Sequence, residues 1–251
     1  MQKIAAYLQC HKQPTATYVA LWSFRSIYPD TTIVLVSDNG YDYTEMAKHF
    51  NCIYIHCNEN VLLIYRDLSR RGHIENAHKL IQRVSDAFKL CKEEFVMWLE
   101  DDVSVNHLIT EQLKYHVNGF CPNIHSKTQI SRLTQKYPYL DINREYRFTG
   151  HGGSIFHKDF FINTMDMTNN DKNVVIDDIL ENWLNYDFPT EICQDFLFSI
   201  LITLSGGTIG PYKGHGDHYK GLNTNLVVQH QYKHWYNKPL PDEYKHLVKL
   251  T

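Results

Sequence analysis

Five consecutive apolar residues, Phe95-Val96-Met97-Trp98-Leu99, run directly into three consecutive acids, Glu100-Asp101-Asp102. A half-buried strand alternates apolar and polar side chains, so an unbroken apolar run this short predicts a strand covered on both faces. Such strands belong to parallel sheets with helices packed on either side. The residues before the run repeat the pattern. Ile4 to Gln9 is a short apolar stretch, Thr32 to Val36 is β-branched, and Cys52 to His56 is a third candidate strand. The intervening segments have helical spacing: Tyr18, Leu21, Trp22 and Arg25 within Thr15 to Ile27, then Tyr43 to Phe50. A longer helix over Ile74 to Lys92 carries Ala77, Leu80, Ile81, Val84, Ala87 and Phe88 at i, i+3 and i+4. Strands alternating with helices predict βαβ units with right-handed crossovers, hence an α/β fold with a mostly parallel central sheet flanked by helices.

The second half is less regular. Residues 104–147 hold an amphipathic stretch followed by a polar, loop-rich region from Asn118 to Lys136. Phe148 to Phe156 reads as a strand interrupted by glycines. Glu191 to Leu204 reads as a helix closed by Ser205-Gly206-Gly207. With 251 residues, no internal repeat and no linker, one domain is expected, built from a half at 1–103 and a half at 104–251. A chain of this length buries enough surface for a single core. Its net charge of −3 goes with no basic cluster longer than Ser69-Arg70-Arg71-Gly72-His73. A nucleic-acid surface needs a basic stripe, so that partner is excluded, whereas the short cluster suffices for one diphosphate. No stretch approaches the roughly 18 uninterrupted apolar residues of a transmembrane segment. Met1 to Tyr7 lacks the features of a signal peptide. Six scattered cysteines without a C-x-x-C pair predict reduced thiols and a cytoplasmic location.

The acids after Leu99 stand where open α/β sheets bind ligands, beyond the carboxyl end of a strand. In extended backbone Glu100 and Asp102 share a face, and two carboxylates on one face suit a hard cation, Mg²⁺ or Mn²⁺. The alternative is a solvated acidic turn. Asp38, in Ser37-Asp38-Asn39, is either a ligand group or a turn-former. Arg70-Arg71-Gly72-x-x-x-Asn76 enters the long helix, as a phosphate site or a solvated helix start. In Gly150-His151-Gly152-Gly153-Ser154 the glycines allow a ligand to approach the backbone, or mark a β-bulge. Asp195 sits in the first turn of a helix, where the dipole also favours an acid. Gly214-His215-Gly216-Asp217-His218 and Gln229-His230-Gln231 add imidazoles, and their glycines suit a flap that closes over a ligand.

The Trp98-Leu99-Glu100-Asp101-Asp102-Val103 element resembles the D-x-D motif of GT-A glycosyltransferases, including its E-D-D variant, with small virus-encoded or bacterial members nearest in character. The resemblance extends over most of the chain, though its motifs are short. It implies a GT-A, Rossmann-like fold, a UDP- or GDP-sugar donor, a glycan or glycoconjugate acceptor and a Mn²⁺ or Mg²⁺ cofactor. It places the metal on Asp102 and the donor's ribose and sugar near Glu100 and Asp101. The nucleotide pocket begins at Gln9 and His11, with Asp38 on the base or ribose and Arg71 and Asn76 on the phosphate or sugar. Gly152 and Gly153 lie beside the acceptor. The family's x-E-D element is matched by Cys193-Gln194-Asp195, with glutamine in place of glutamate, which implies Asp195 as general base of an inverting transfer. His218 is implied as an extra metal ligand, with His215 and His230 as competitors. A nucleotidyltransferase would share the sheet and acids, but Cys10-His11-Lys12-Gln13-Pro14 lacks a glycine-rich phosphate loop. A non-catalytic carbohydrate-binding protein or decayed transferase is the other alternative. A metallohydrolase lacks its usual H-x-H or H-E-x-x-H motif.

Overall fold

The computed structural model describes residues 2–38, 40–61, 70–121, 123–124, 127–138, 140–141, 143–148, 150–170 and 194–250. Its central sheet begins with β1 (Ile4–Cys10), which pairs in parallel with β2 (Ile33–Asp38). After the two-residue β3 (Tyr41–Asp42), β4 (Ile53–Cys57) extends the sheet beyond β2, and β5 (Phe95–Leu99) lies on the other side of β1. These four strands are joined through α1 (Pro14–Ile27), α2 (Thr44–His49) and α3 (Arg70–Lys89). Proline at the start of α1 costs no hydrogen bond, because a first-turn N–H has no helical acceptor.

The rest of the chain completes the sheet with shorter strands. After β6 (Ser104–Val105) comes β7 (Val117–Asn118), then β8 (Asn123–Ile124), α4 (Lys127–Lys136) and β9 (Arg147–Phe148). β10 (Ile155–His157), α5 (Lys158–Asn170), α6 (Gln194–Leu204) and β11 (Ile209–Gly210) follow. Among the described residues the sheet order is β11-β7-β10-β5-β1-β2-β4, with β10 the antiparallel member. The expected α/β architecture with a mostly parallel sheet is therefore present, and both halves of the chain contribute strands to it.

Alternation along the central strands separates two cores. Ala5, Tyr7, Val96 and Trp98 face α3, α5 and α6, whereas Ile4, Ala6, Leu8, Met97 and Leu99 face α1 and α2. Both faces are covered, which is why β5 tolerates no polar residue.

Three local expectations are corrected. The region read as loop-rich from Asn118 to Lys136 contains α4, whose Ile130 is buried against Leu140 and Tyr146. Phe148 and Phe156 belong to two different strands, because β9 pairs with β8 and not with the central sheet. The long helix begins at Arg70 and ends at Lys89, where Leu90 and Cys91 close it through bonds to Ala87 and Phe88. Among the described residues, no helix is long and apolar enough to cross a membrane. Among the described residues Cys10, Cys52, Cys57, Cys91 and Cys121 form no disulfide, and Cys193 lies outside them.

Candidate functional site

A cavity of about 420 Å³ opens at the carboxyl ends of β1, β2 and β5, where an open parallel sheet leaves backbone groups and loops to meet a ligand. Its acidic wall is built by a turn. Val103 N–H donates to the Glu100 carbonyl at 3.1 Å, so the chain leaves its extended path directly after Leu99. Glu100 and Asp102 nevertheless converge, because both face the imidazole of His230. Nε2 of that ring stands 3.4 Å from Glu100 Oε2 and 3.5 Å from Asp102 Oδ1. One ligand atom from each of the three residues falls within 4.8 Å of the others.

The approach of His230 is dictated by a small second sheet. Directly after the acids, β6 pairs antiparallel with β13 (Val228–His230), which in turn pairs with β12 (His215–Asp217). That register sets Asp217 opposite His230, and Nδ1 of the imidazole is 2.9 Å from Asp217 Oδ1. The ring is thus oriented by a carboxylate on one nitrogen and presents the other to the acids, the arrangement common behind metal-bound histidines. His218 is placed differently. Its N–H donates to the His230 carbonyl and its own carbonyl accepts from Gln229, while its side chain does not line the cavity. Among the described residues it is His230 that groups with Glu100 and Asp102.

Charge is concentrated here. Burial disfavours ionised His230, but its bonds to Asp217 and Glu100 overcome that and raise its pKa to about 10. Burial likewise opposes ionisation of Glu100, yet His230 holds its carboxyl below the usual range. Asp102 is pushed up to about 6, by burial first and then by the charge of Glu100. Burial pushes Asp101 up to about 7, although its carboxylate accepts a hydrogen bond from the Tyr236 hydroxyl. Asp102 is only 4% exposed, and its Oδ1 has no hydrogen-bond partner among the described residues. Lys233 Nζ lies 3.7 Å from Asp102 Oδ2 but is half in solvent, so it neutralises little. A buried carboxylate oxygen left without a donor, beside a second carboxylate and an imidazole, fits a hard divalent cation.

The glycines have a specific part in this wall. A Cβ on Gly152 would meet His230 Cδ2 at 2.4 Å and Nε2 at 2.6 Å. Gly153 has φ of +79° and would meet His215 Nε2 and Val228 at 2.7 Å. Both are covered by ring atoms of the second sheet and do not line the cavity themselves.

At the cavity's other end, Gln9, His11 and Asp38 are brought together by the pairing of β1 with β2. Tyr7 donates to Gln9 Oε1 at 2.7 Å, and Gln9 Nε2 donates to Asp38 Oδ2 at 3.0 Å. Asp38 is 1% exposed and Arg83 Nη1 stands 3.4 Å from its Oδ1. Burial raises the Asp38 pKa, and Arg83 opposes that rise. Arg83 escapes the sequence reading, although an arginine between Ile81 and Val84 on the core-facing side of α3 is itself a signal of a buried acidic partner. Asn76 is half-buried on α3 and does not line the cavity. Arg71 lies in the first turn of α3 with its side chain outside the described residues, as are Asn39 and residues 191–193.

The remaining wall comes from the second half of the chain. Asp195, in the first turn of α6, has Oδ1 3.2 Å from His151 Nδ1. The loop bearing His151 is pinned to β5 by Gly153 N–H on the Trp98 carbonyl and by Trp98 N–H on the Ser154 carbonyl. His151 lies against the Trp98 indole with ring centroids 4.3 Å apart. Asp195 and the acids of β5 thus face one cavity although 93 residues separate Asp195 from Asp102 in sequence.

No protein-family model matches the chain, and no curated protein matches it. Among solved structures, the galactosyltransferase LgtC in complex with donor and acceptor sugar analogues aligns over 97% of this chain and 99% of its own, at 14% identity and a TM-score of 0.49. An active-site mutant of LgtC aligns over the same shares at 10% identity and a TM-score of 0.49. The glycosyltransferase GlyE of Streptococcus pneumoniae TIGR4 aligns over 92% of this chain and 55% of its own, at 11% identity and a TM-score of 0.46.

Proposed function

We propose that the protein is a metal-dependent glycosyltransferase, moving a sugar from a nucleotide-diphosphate sugar to a hydroxyl of a glycan or glycoconjugate. The observation that carries this reading is the grouping of Glu100, Asp102 and His230 in a cavity that Asp195 also lines. Residues 1–103 bind the donor in this reading. Gln9, His11 and Asp38 meet its base and ribose, Arg71 its phosphates or sugar, and Asp101 its ribose or sugar. The 104–251 half carries the acceptor, beside Asp195 rather than at the covered Gly152 and Gly153.

Asp102, Glu100 and His230 would hold Mn²⁺ or Mg²⁺, with His230 taking the role expected of His218. Bound there, the cation would supply positive charge against the diphosphate as nucleotide leaves. The protein's own part is to orient and to remove a proton. Asp195 takes the proton of the acceptor hydroxyl while that oxygen bonds to the anomeric carbon. The bond from the anomeric carbon to the diphosphate oxygen breaks with its electron pair going to the nucleotide. Attack from the face opposite the leaving group inverts the anomeric configuration. His230 of the second sheet and Tyr236 complete the lining of the cavity.

Calorimetric titration of UDP- and GDP-sugars, each with and without Mn²⁺, tests the reading. Binding of one class in the presence of Mn²⁺, lost in Asp102→Asn, is the expected outcome. A folded protein that binds no nucleotide sugar under either condition would overturn it.

The charged state of His230 makes a second prediction. A metal needs Nε2 without its proton, and the folded pKa of about 10 means a proton must be displaced at neutral pH. Mn²⁺ affinity is therefore expected to climb by up to about tenfold per pH unit between roughly pH 6.5 and 8.5. The metal-free protein is expected to behave oppositely. A histidine whose pKa is raised on folding contributes stability that is complete below the unfolded value, near 6.5, and lost as pH rises through about 10. Thermal melts across this range, with EDTA and with Mn²⁺, are expected to diverge as pH rises; parallel curves would remove His230 from the metal site.

A further inference from the structure

We propose that His151 is a positioning residue for the transfer, aligning Asp195 through Nδ1. The inference rests on the reading of the cavity as a nucleotide-sugar site. Three observations carry it. The side chain is 1% exposed, yet neither ring nitrogen has a hydrogen bond among the described residues. A buried imidazole nitrogen without a partner is costly, so Nδ1 is expected to complete a bond to the nearest carboxylate when the site is filled. The residue stands at the cavity wall with Asp195, both ring nitrogens closed to water. Its Nδ1 already stands 3.2 Å from Asp195 Oδ1, at a distance where a small rotation of the carboxylate completes the bond. Catalytic hydrogen bonds are often misaligned without substrate and tighten when it binds.

The ring's own orientation is fixed. Trp98 lies against one side with centroids 4.3 Å away, and the Phe198 ring is 5.1 Å away at 63°. Trp98 belongs to the strand that delivers the acids and Phe198 to the helix that begins at Asp195, so the imidazole bridges the two halves of the site. With Nδ1–H donating to Asp195, the carboxylate keeps one orientation. No proton leaves His151 in this role; the acceptor's proton goes to Asp195.

Two substitutions test it. His151→Phe keeps a ring against Trp98 and removes both nitrogens, and His151→Asn keeps a donor near the place of Nδ1. The probes are UDP, UDP-glucose, UDP-galactose, GDP and GDP-mannose with Mn²⁺, read by calorimetry and by donor hydrolysis, in which water replaces the acceptor. His151→Phe is expected to lower kcat by about tenfold or more, with affinity for the nucleotide sugar unchanged, which also reports that the variant is folded. His151→Asn is expected to restore kcat. Wild-type kcat in His151→Phe, or an asparagine variant no faster than the phenylalanine variant, would overturn the inference. If His151→Phe fails to fold, His151→Gln serves as the variant without a donor at the place of Nδ1, and equal kcat in the asparagine and glutamine variants would overturn it. A wild-type protein that binds none of the probes would instead remove the functional reading itself.

Discussion

Asp195→Asn is expected to lower the transfer rate by about two to four orders of magnitude, with donor and metal affinity left within about twofold of wild type. The asparagine side chain is nearly the same shape, so α6 keeps its first turn and the wall of the cavity its form. What is lost is the ability to accept a proton. The rate and the affinity separate because Asp195, on α6, is not among the described residues that group as metal ligands. The reading also fixes the product. Attack from the face opposite the nucleotide gives the anomer opposite to that of the donor, which NMR of the product's anomeric proton reports directly. A rate unchanged in Asp195→Asn would remove Asp195 from the base role. A product retaining the donor's configuration would leave transfer intact as an activity and discard the single-displacement step.

How much of this arrangement is legible in the amino-acid sequence depends on segment length. Phe95 to Leu99 is read with the bounds it has in the fold, because a strand buried on both faces advertises itself as an apolar run. α1 is read to within a residue at each end for a similar reason, its apolar positions repeating over several turns, and the six-residue α2 is read as closely. The other half of the sheet is not legible. β7 and β11 have two residues each and β10 has three, too few to show a period, and their burial comes from pairing with strands already formed. α4 is obscured because polar residues outnumber the few apolar positions it turns inward. The site follows the same rule. Glu100 to Asp102 are visible as the end of a legible strand, and Asp195 as the start of a legible helix. His230 is not distinguishable from His218 by spacing, because the choice is made by the pairing of β13 with β6, two residues against two. Arg83 is hidden for a different reason. Its partner Asp38 is 45 residues earlier, and only the parallel crossover brings α3 over the end of β2.

Gly152→Ala is expected to weaken Mn²⁺ binding by about a hundredfold, the upper end of what disturbed support of a metal ligand costs. The added methyl would stand 2.4 to 3.0 Å from three atoms of the His230 imidazole, nearer than side-chain carbons come to one another in folded proteins. Something must shift. His230 belongs to a strand paired on both sides, and its ring is tied to Asp217, so the imidazole has no free retreat that preserves its approach to Glu100 and Asp102. The loop bearing Gly152 is equally constrained, because its neighbour Gly153 is bonded to the Trp98 carbonyl. Gly216→Ala is the control. It lies on β12, in the same small sheet, but its methyl would meet Leu226 at an ordinary 3.6 Å, so metal affinity is expected to be unchanged. The decisive comparison is the double variant Gly152→Ala, His230→Ala. Removing the imidazole removes the clash, so the added methyl is expected to cost less thermal stability in the His230→Ala background than in the wild type. That is the non-additive pairing expected of residues in contact. Were Gly152→Ala to bind Mn²⁺ as the wild type does, the glycine would be only a turn residue, and the acidic pair would have to hold its cation without His230.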